Sequence, residues 1–129
     1  MNKRILITAS ALAILAIILG AFGAHKLKEL LTPQHLTSFE TAVRYQMYHV
    51  FLLLFLGGYN NINTQTKKRI YSVVLLGILF FSGSIYILST QEITGINIAK
   101  FGFITPIGGL LLIVAWSLLL KSLLKTMKD

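Results

Sequence analysis

Arg44, Tyr45, Gln46, Tyr48 and His49 fall within six residues and lead straight into the apolar run Val50 to Tyr59. A guanidinium, two phenols, an amide and an imidazole together offer one fixed positive charge and several donors. That set suits holding a phosphate or a lipid headgroup better than breaking a bond. Glu40 stands four residues before Arg44, the spacing of an ion pair along a helix. His25 closes the preceding apolar run and is expected to reach the same cluster, because both chain segments emerge on one side; His35 is expected to be exposed.

Bond-making chemistry finds little to work with. The four acids are Glu29, Glu40, Glu92 and Asp129, none deep in an apolar run, so no carboxylate pair exists for general acid and base work, and no enzyme is expected. Cysteine is absent, which excludes disulfides, thiol catalysis and cysteine metal sites. His25 and His49 lack a matching carboxylate or ligand spacing, so no metal, haem or other cofactor is expected. The glycines lie in apolar segments without the lysine and strand context of a phosphate loop.

The elements that must position the cluster are membrane spans. Hydrophobic residues make up 55% of the 129 and charged residues only 12%, against about 25% in soluble domains. At about 1.5 Å of rise per residue, a hydrocarbon core about 30 Å thick takes about 20 residues to cross. The runs 5–24, 70–88 and 104–122 meet that length. Val50 to Tyr59 does not, so a span there starts near Glu40 (40–59) and carries Arg44, Gln46 and His49 into the membrane, where such groups are costly. The expected fold is all-α: one domain, an integral membrane four-helix bundle. The net charge of +8 gathers at helix ends. Lys3, Arg4, Lys67, Lys68, Arg69, Lys121, Lys125 and Lys128 flank one side, and Lys26, Lys28 and Lys100 the other, which places both termini in the cytoplasm. Cations at helix ends without interleaved aromatics argue against nucleic acid and for membrane lipids as partners.

The start resembles a secretory signal, but its apolar run is longer than the usual 7 to 15 residues, so the first span is read as retained. Its small residues Ala9, Ala13, Ala16, Gly20, Gly23 and Ala24 form one stripe for close helix packing, with the same chain preferred over a second copy. A short amphipathic interfacial helix is expected over His25 to Leu31. Thr32 and Pro33 then start the second long helix. Thr105 is expected to cap, and Pro106 to start, the last helix, with Gly108 and Ala115 on one packing face; the path of 89–104 is left open. On the second helix Thr41, Arg44, Tyr45, Tyr48 and His49 share one side of about 140°. That side is expected to face the bundle and Val43, Met47, Val50 and Leu54 the lipid, with Gln46 just off the edge.

Two readings of the cluster stand side by side. In one, Arg44 snorkels to the phosphates, the tyrosines join an aromatic belt, and His49 makes a structural hydrogen bond. In the other, the cluster forms an outer-face pocket for a lipid headgroup, a small anion or a membrane-protein partner. An alternative is a transporter or channel component, acting as a homo-oligomer, with His49 as titrating group.

The stretches Gly20-Ala21-Phe22-Gly23-Ala24-His25, Phe39 to His49, and Thr105-Pro106-Ile107-Gly108-Gly109 with Trp116 carry a resemblance. The chain is similar over nearly its whole length to the domain of unknown function 423 family, also called uncharacterised protein family 0382, with eukaryotic relatives called transmembrane protein 256. The resemblance implies a four-helix protein of the bacterial inner membrane and no established activity.

Overall fold

The computed structural model describes residues 1–127; Lys128 and Asp129, counted above among the charges, lie outside the described residues. Every regular element among the described residues is helical. The first helix, α1, runs without a break over Asn2–Leu30, where a separate interfacial helix was expected after Ala24. Nothing between Gly23 and Leu30 breaks a helix, and a π-helical turn at Gly23–Leu27 adds the extra residue that turns Leu27 inward. Leu27 and Leu31, four apart, then pack with Phe39, which keeps the segment helical. The chain turns at Leu31 and Thr32, both with extended backbone, the conformation that Pro33 imposes on the residue directly before it.

Helix α2 spans Pro33–Gly58 and begins as its sequence predicts: Pro33 occupies the first turn and Thr32 Oγ1 accepts from the His35 amide at 3.2 Å. Helix α3 runs over Thr64–Ser89, capped by Asn63 Oδ1 on the Thr66 amide at 2.9 Å, with a second π-helical turn at Leu79–Gly83. The stretch left open by the sequence contains the short α4, Gln91–Thr94, ended by Gly95 at φ 71°, a left-handed conformation that glycine adopts without strain. A 3-10 turn at Ala99–Phe101 leads into α5, Ile104–Thr126. Here the expectation of a Thr105 cap is corrected. The helix already starts at Ile104 after Phe103, Pro106 sits inside the first turn where its missing N–H costs little, and Thr105 Oγ1 is bonded to Ser84 Oγ instead.

Three helical stretches, Asn2–Leu30, Thr64–Ser89 and Ala99–Thr126, are long and apolar enough to cross a membrane. Helix α2 is 26 residues long, but its first half carries the polar residues described above. It runs antiparallel along α1: Gly57 lies against Leu6, Gly20 against Val43 and Gly23 against Phe39. The small-residue stripe of α1 faces this neighbour, with Ala9 and Ala16 fully buried. Helices α3 and α5 form the other antiparallel pair. A Cβ at Gly108 would stand 2.2 Å from the Phe81 amide nitrogen, and one at Gly77 2.5 Å from Leu112 Cδ2, so these glycines set how closely the two backbones approach. Leu53, Leu56, Ile70, Val74 and Leu119 fill the core between the pairs.

Candidate functional site

The rotation of α2 about its own axis decides which polar residues turn inward. Its buried face carries Phe39, Ala42, Gln46, His49, Val50, Leu53 and Gly57, while Arg44, Tyr45 and Tyr48 are exposed. The expectation that the Arg44 and tyrosine side faces the other helices, with Val50 facing lipid, is therefore corrected. The physical reason is compensation. A guanidinium in the interior needs a carboxylate, and none of the acids within the described residues reaches that depth; a neutral amide or imidazole can be satisfied by hydrogen bonds alone.

Each side-chain nitrogen and oxygen of Gln46 and His49 has a hydrogen-bond partner. Gln46 Nε2 donates to the Leu12 carbonyl of α1 at 2.8 Å, and Tyr86 of α3 donates to Gln46 Oε1 at 2.7 Å. His49 Nδ1 donates to the Tyr45 carbonyl at 2.6 Å, leaving Nε2 to accept from Trp116 Nε1 of α5 at 3.0 Å. Leu12 lies midway along Asn2–Phe22 and Trp116 midway along Ile104–Thr126. These bonds thus tie α2 to all three other long helices, to α1 and α5 at mid-height and to α3 near its C-terminal end. A fourth tie is Ser82 Oγ, which lies in the π-helical turn of α3 and donates to the Ala42 carbonyl, 2.7 Å away. Tyr86 and Ser82 are partners that the sequence reading missed. Their only signal was a tyrosine and several serines punctuating an otherwise apolar run.

The other candidates are dispersed. Arg44 donates to Thr41 Oγ1 at 3.1 Å and not to Glu40. His25 is exposed within the turn Gly23–Leu27, beside Lys26, Lys28 and Glu29, and makes no hydrogen bond to α2 among the described residues; its expected membership of the cluster is corrected. His35, expected to be exposed, is half-buried and pairs with Glu92 of α4 at 2.5 Å. The hydrogen bond from His35 holds the Glu92 carboxyl below the usual carboxylate range.

Two cavities adjoin the exposed face of α2. One, of about 590 Å³, lies between the start of α2, the end of α3 and the start of α5; its polar lining includes His35, Ser38, Thr41, Gln91 and Thr105. Its Thr41 is the residue that holds Arg44. The other is an apolar groove of about 630 Å³ between α2 and α5, lined by Tyr45, Phe81, Leu110, Ile113 and Trp116 with His49 at its floor. Pro106 lines both. Within the groove the Tyr45 ring closes on Phe81 at 4.9 Å between centroids. Among the described residues no cluster of three metal-ligating side chains occurs.

Comparison with known proteins bears on the same residues. The profile of a family described as a protein of unknown function, DUF423, matches residues 19–109, a range that holds Gln46, His49 and Pro106 but stops short of Trp116. A UPF0382 membrane protein of Staphylococcus saprophyticus is 40% identical over 117 residues, covering 91% of this chain and 93% of its own. The UPF0382 membrane protein YwdK of Bacillus subtilis is 35% identical over 95% of this chain and 98% of its own. One from Haemophilus influenzae is 32% identical over 90% of each. No solved structure matches the chain.

Proposed function

We propose, from the premise that this chain belongs to the DUF423 family of bacterial membrane proteins, that it is a non-enzymatic, lipid-binding protein of the inner membrane. In this reading all four long helices span, with both termini in the cytoplasm. The antiparallel register supports a spanning α2: residues 39–57 lie level with residues 5–23 of its apolar neighbour, so α2 traverses the same thickness. The charge bias at the helix ends supports the orientation.

The observation that carries the reading is that a cavity edged by hydroxyls, amides and an imidazole shares Pro106 with an apolar groove, and that the cavity's Thr41 holds an arginine that pairs with no carboxylate among the described residues. An anionic headgroup at the outer face would sit among Thr41, Thr105 and the Arg44 guanidinium. An acyl chain would then lie along α5 toward Trp116. From Thr105 to Trp116 the helix rises about 16 Å, enough for most of one chain. An exposed guanidinium at membrane depth is costly unless headgroups or water reach it, and a bound headgroup supplies that contact. The transporter alternative draws no support from His49, since both ring nitrogens are already engaged.

Native mass spectrometry of the protein released from phosphatidylglycerol-containing vesicles tests the reading. Arg44→Gln and Leu110→Trp, the second filling the groove, are each expected to lower phosphatidylglycerol retention about tenfold with little change in thermal stability. Retention within twofold of wild type in both variants overturns the site.

A further inference from the structure

A third cavity, of about 640 Å³, opens at the opposite end of the molecule, where α1 and α3 begin. Its polar lining is Lys3, Arg4, Thr8, Thr64 and Lys68, and Ile7 forms its apolar edge. Three cations and two hydroxyls thus face one space without a carboxylate. The acids within the described residues, Glu29, Glu40 and Glu92, all lie toward the other end, and the ion pair among the described residues is His35 with Glu92. Nothing in the chain's described part neutralises this cavity.

Its walls are held together from behind. Lys67, 2% exposed, donates through Nζ to Asn2 Oδ1 at 2.8 Å. Asn2 in turn donates to Asn60 Oδ1 at 3.3 Å. Thr8 Oγ1 and the Tyr71 hydroxyl are 2.8 Å apart. Two of these contacts join α1 to α3 and the third joins α1 to the connection before α3; they hold a fourth cation, hydrogen-bonded to a neutral amide, next in sequence to Lys68. Like charges gathered so closely repel one another, and the arrangement is relieved when an anion enters. Arg4 can present two parallel N–H groups to a tetrahedral oxyanion, with lysine ammoniums and threonine hydroxyls completing the shell.

We propose that this cavity binds a phosphate ester. The source is either the headgroup of an anionic lipid, whose chain would leave over Ile7, 59% exposed, or a soluble phosphate. The site is independent of the one at Arg44, and different variants report on each. The test reads, again by native mass spectrometry, the species of the full chain that carries two phosphatidylglycerols, the same species whose loss reports on the Arg44 site, in Lys3→Gln/Arg4→Gln/Lys68→Gln against the control Lys121→Gln/Lys125→Gln, which removes charge from α5 at the same end. A fall of about tenfold in the triple variant, with the control within twofold of wild type, is expected. Lys3→Arg/Lys68→Arg, which keeps the charge, is expected to retain the lipid, and this guards against loss through misfolding. Displacement of the lipid by millimolar glycerol phosphate would identify a soluble ester as an occupant, and resistance to it would identify the lipid headgroup. Equal falls in the triple variant and the control would overturn the proposal by showing only diffuse attraction between cations and membrane.

Discussion

The Trp116 indole meets the His49 imidazole edge to face, with Nε1 donating to Nε2 at 3.0 Å, while the same imidazole donates through Nδ1 to the Tyr45 carbonyl of its own helix. One ring is thereby fixed in its neutral form with Nδ1 protonated, and α2 and α5 are clasped at mid-height. Removing the indole donor by Trp116→Phe keeps most of the apolar bulk and breaks the clasp. The expected loss is about 1 kcal/mol, in the range of single hydrogen bonds between membrane helices, visible as a drop of a few degrees in the melting temperature in detergent. An unchanged melting temperature would show that the contact adds nothing.

Gln46 is the busier hub, since its amide serves α1 and α3 at once. Gln46→Leu strands the Tyr86 hydroxyl in an apolar interior and takes from the Leu12 carbonyl the bond it accepts beyond its own helix, at a cost of about 1–3 kcal/mol. Adding Tyr86→Phe removes the stranded group, so the double variant is expected to be more stable than Gln46→Leu alone. Thermal melts of the four proteins in the cycle check this, and simple additivity would deny the coupling.

Gly108 and Gly58 make a matched pair of opposites. A Cβ at Gly108 meets the backbone of Phe80 and Phe81, which cannot swing aside, whereas one at Gly58 meets nothing within 4 Å. Gly108→Ala is expected to cost more than about 3 kcal/mol, in the class of overpacked sites, and to reduce the yield of monodisperse protein. Gly58→Ala is expected to be neutral or to stabilise by up to about 1 kcal/mol through helix propensity. Size-exclusion profiles and melting temperatures distinguish the two.

The contact between His35 and Glu92 is the pH-sensitive one outside the spans. Because the folded Glu92 carboxyl titrates below its ordinary value of 4.5, the contact's contribution is present above that value. It fades as pH falls through the depressed folded value. Amide exchange in Gln91–Thr94 is therefore expected to gain relative to the rest of the chain as the pH is lowered below 4.5. In Glu92→Gln that pH-dependent gain should vanish; if it persists, another group controls the segment.

Much of the architecture was readable locally. Thr32 with Pro33 marked the start of α2, the alanine and glycine stripe of α1 marked a packed face, and apolar run lengths marked three stretches able to cross a membrane. The continuation of α1 through Gly23–Leu27 was not readable, because glycine and charged residues there resemble an ending until Leu27 and Leu31 find Phe39. The start of α5 was misplaced for a similar reason: Thr105 has the chemistry of a cap, and Ser84 on another helix claims its hydroxyl.

The sequence by itself determined that this is a helical membrane protein with polar residues carried into α2, since composition, run length and proline position are properties of the chain alone. Only the tertiary structure decided that Gln46 and His49 turn inward while Arg44, Tyr45 and Tyr48 turn out. A helical wheel gives angles between residues of one helix but no direction toward a neighbour, and both sides of α2 carry polar groups. That direction is set by partners far along the chain: the Leu12 carbonyl, the Tyr86 hydroxyl and the Trp116 indole. They satisfy two neutral groups in the interior and leave the arginine, for which the interior holds no counter-charge, at the surface.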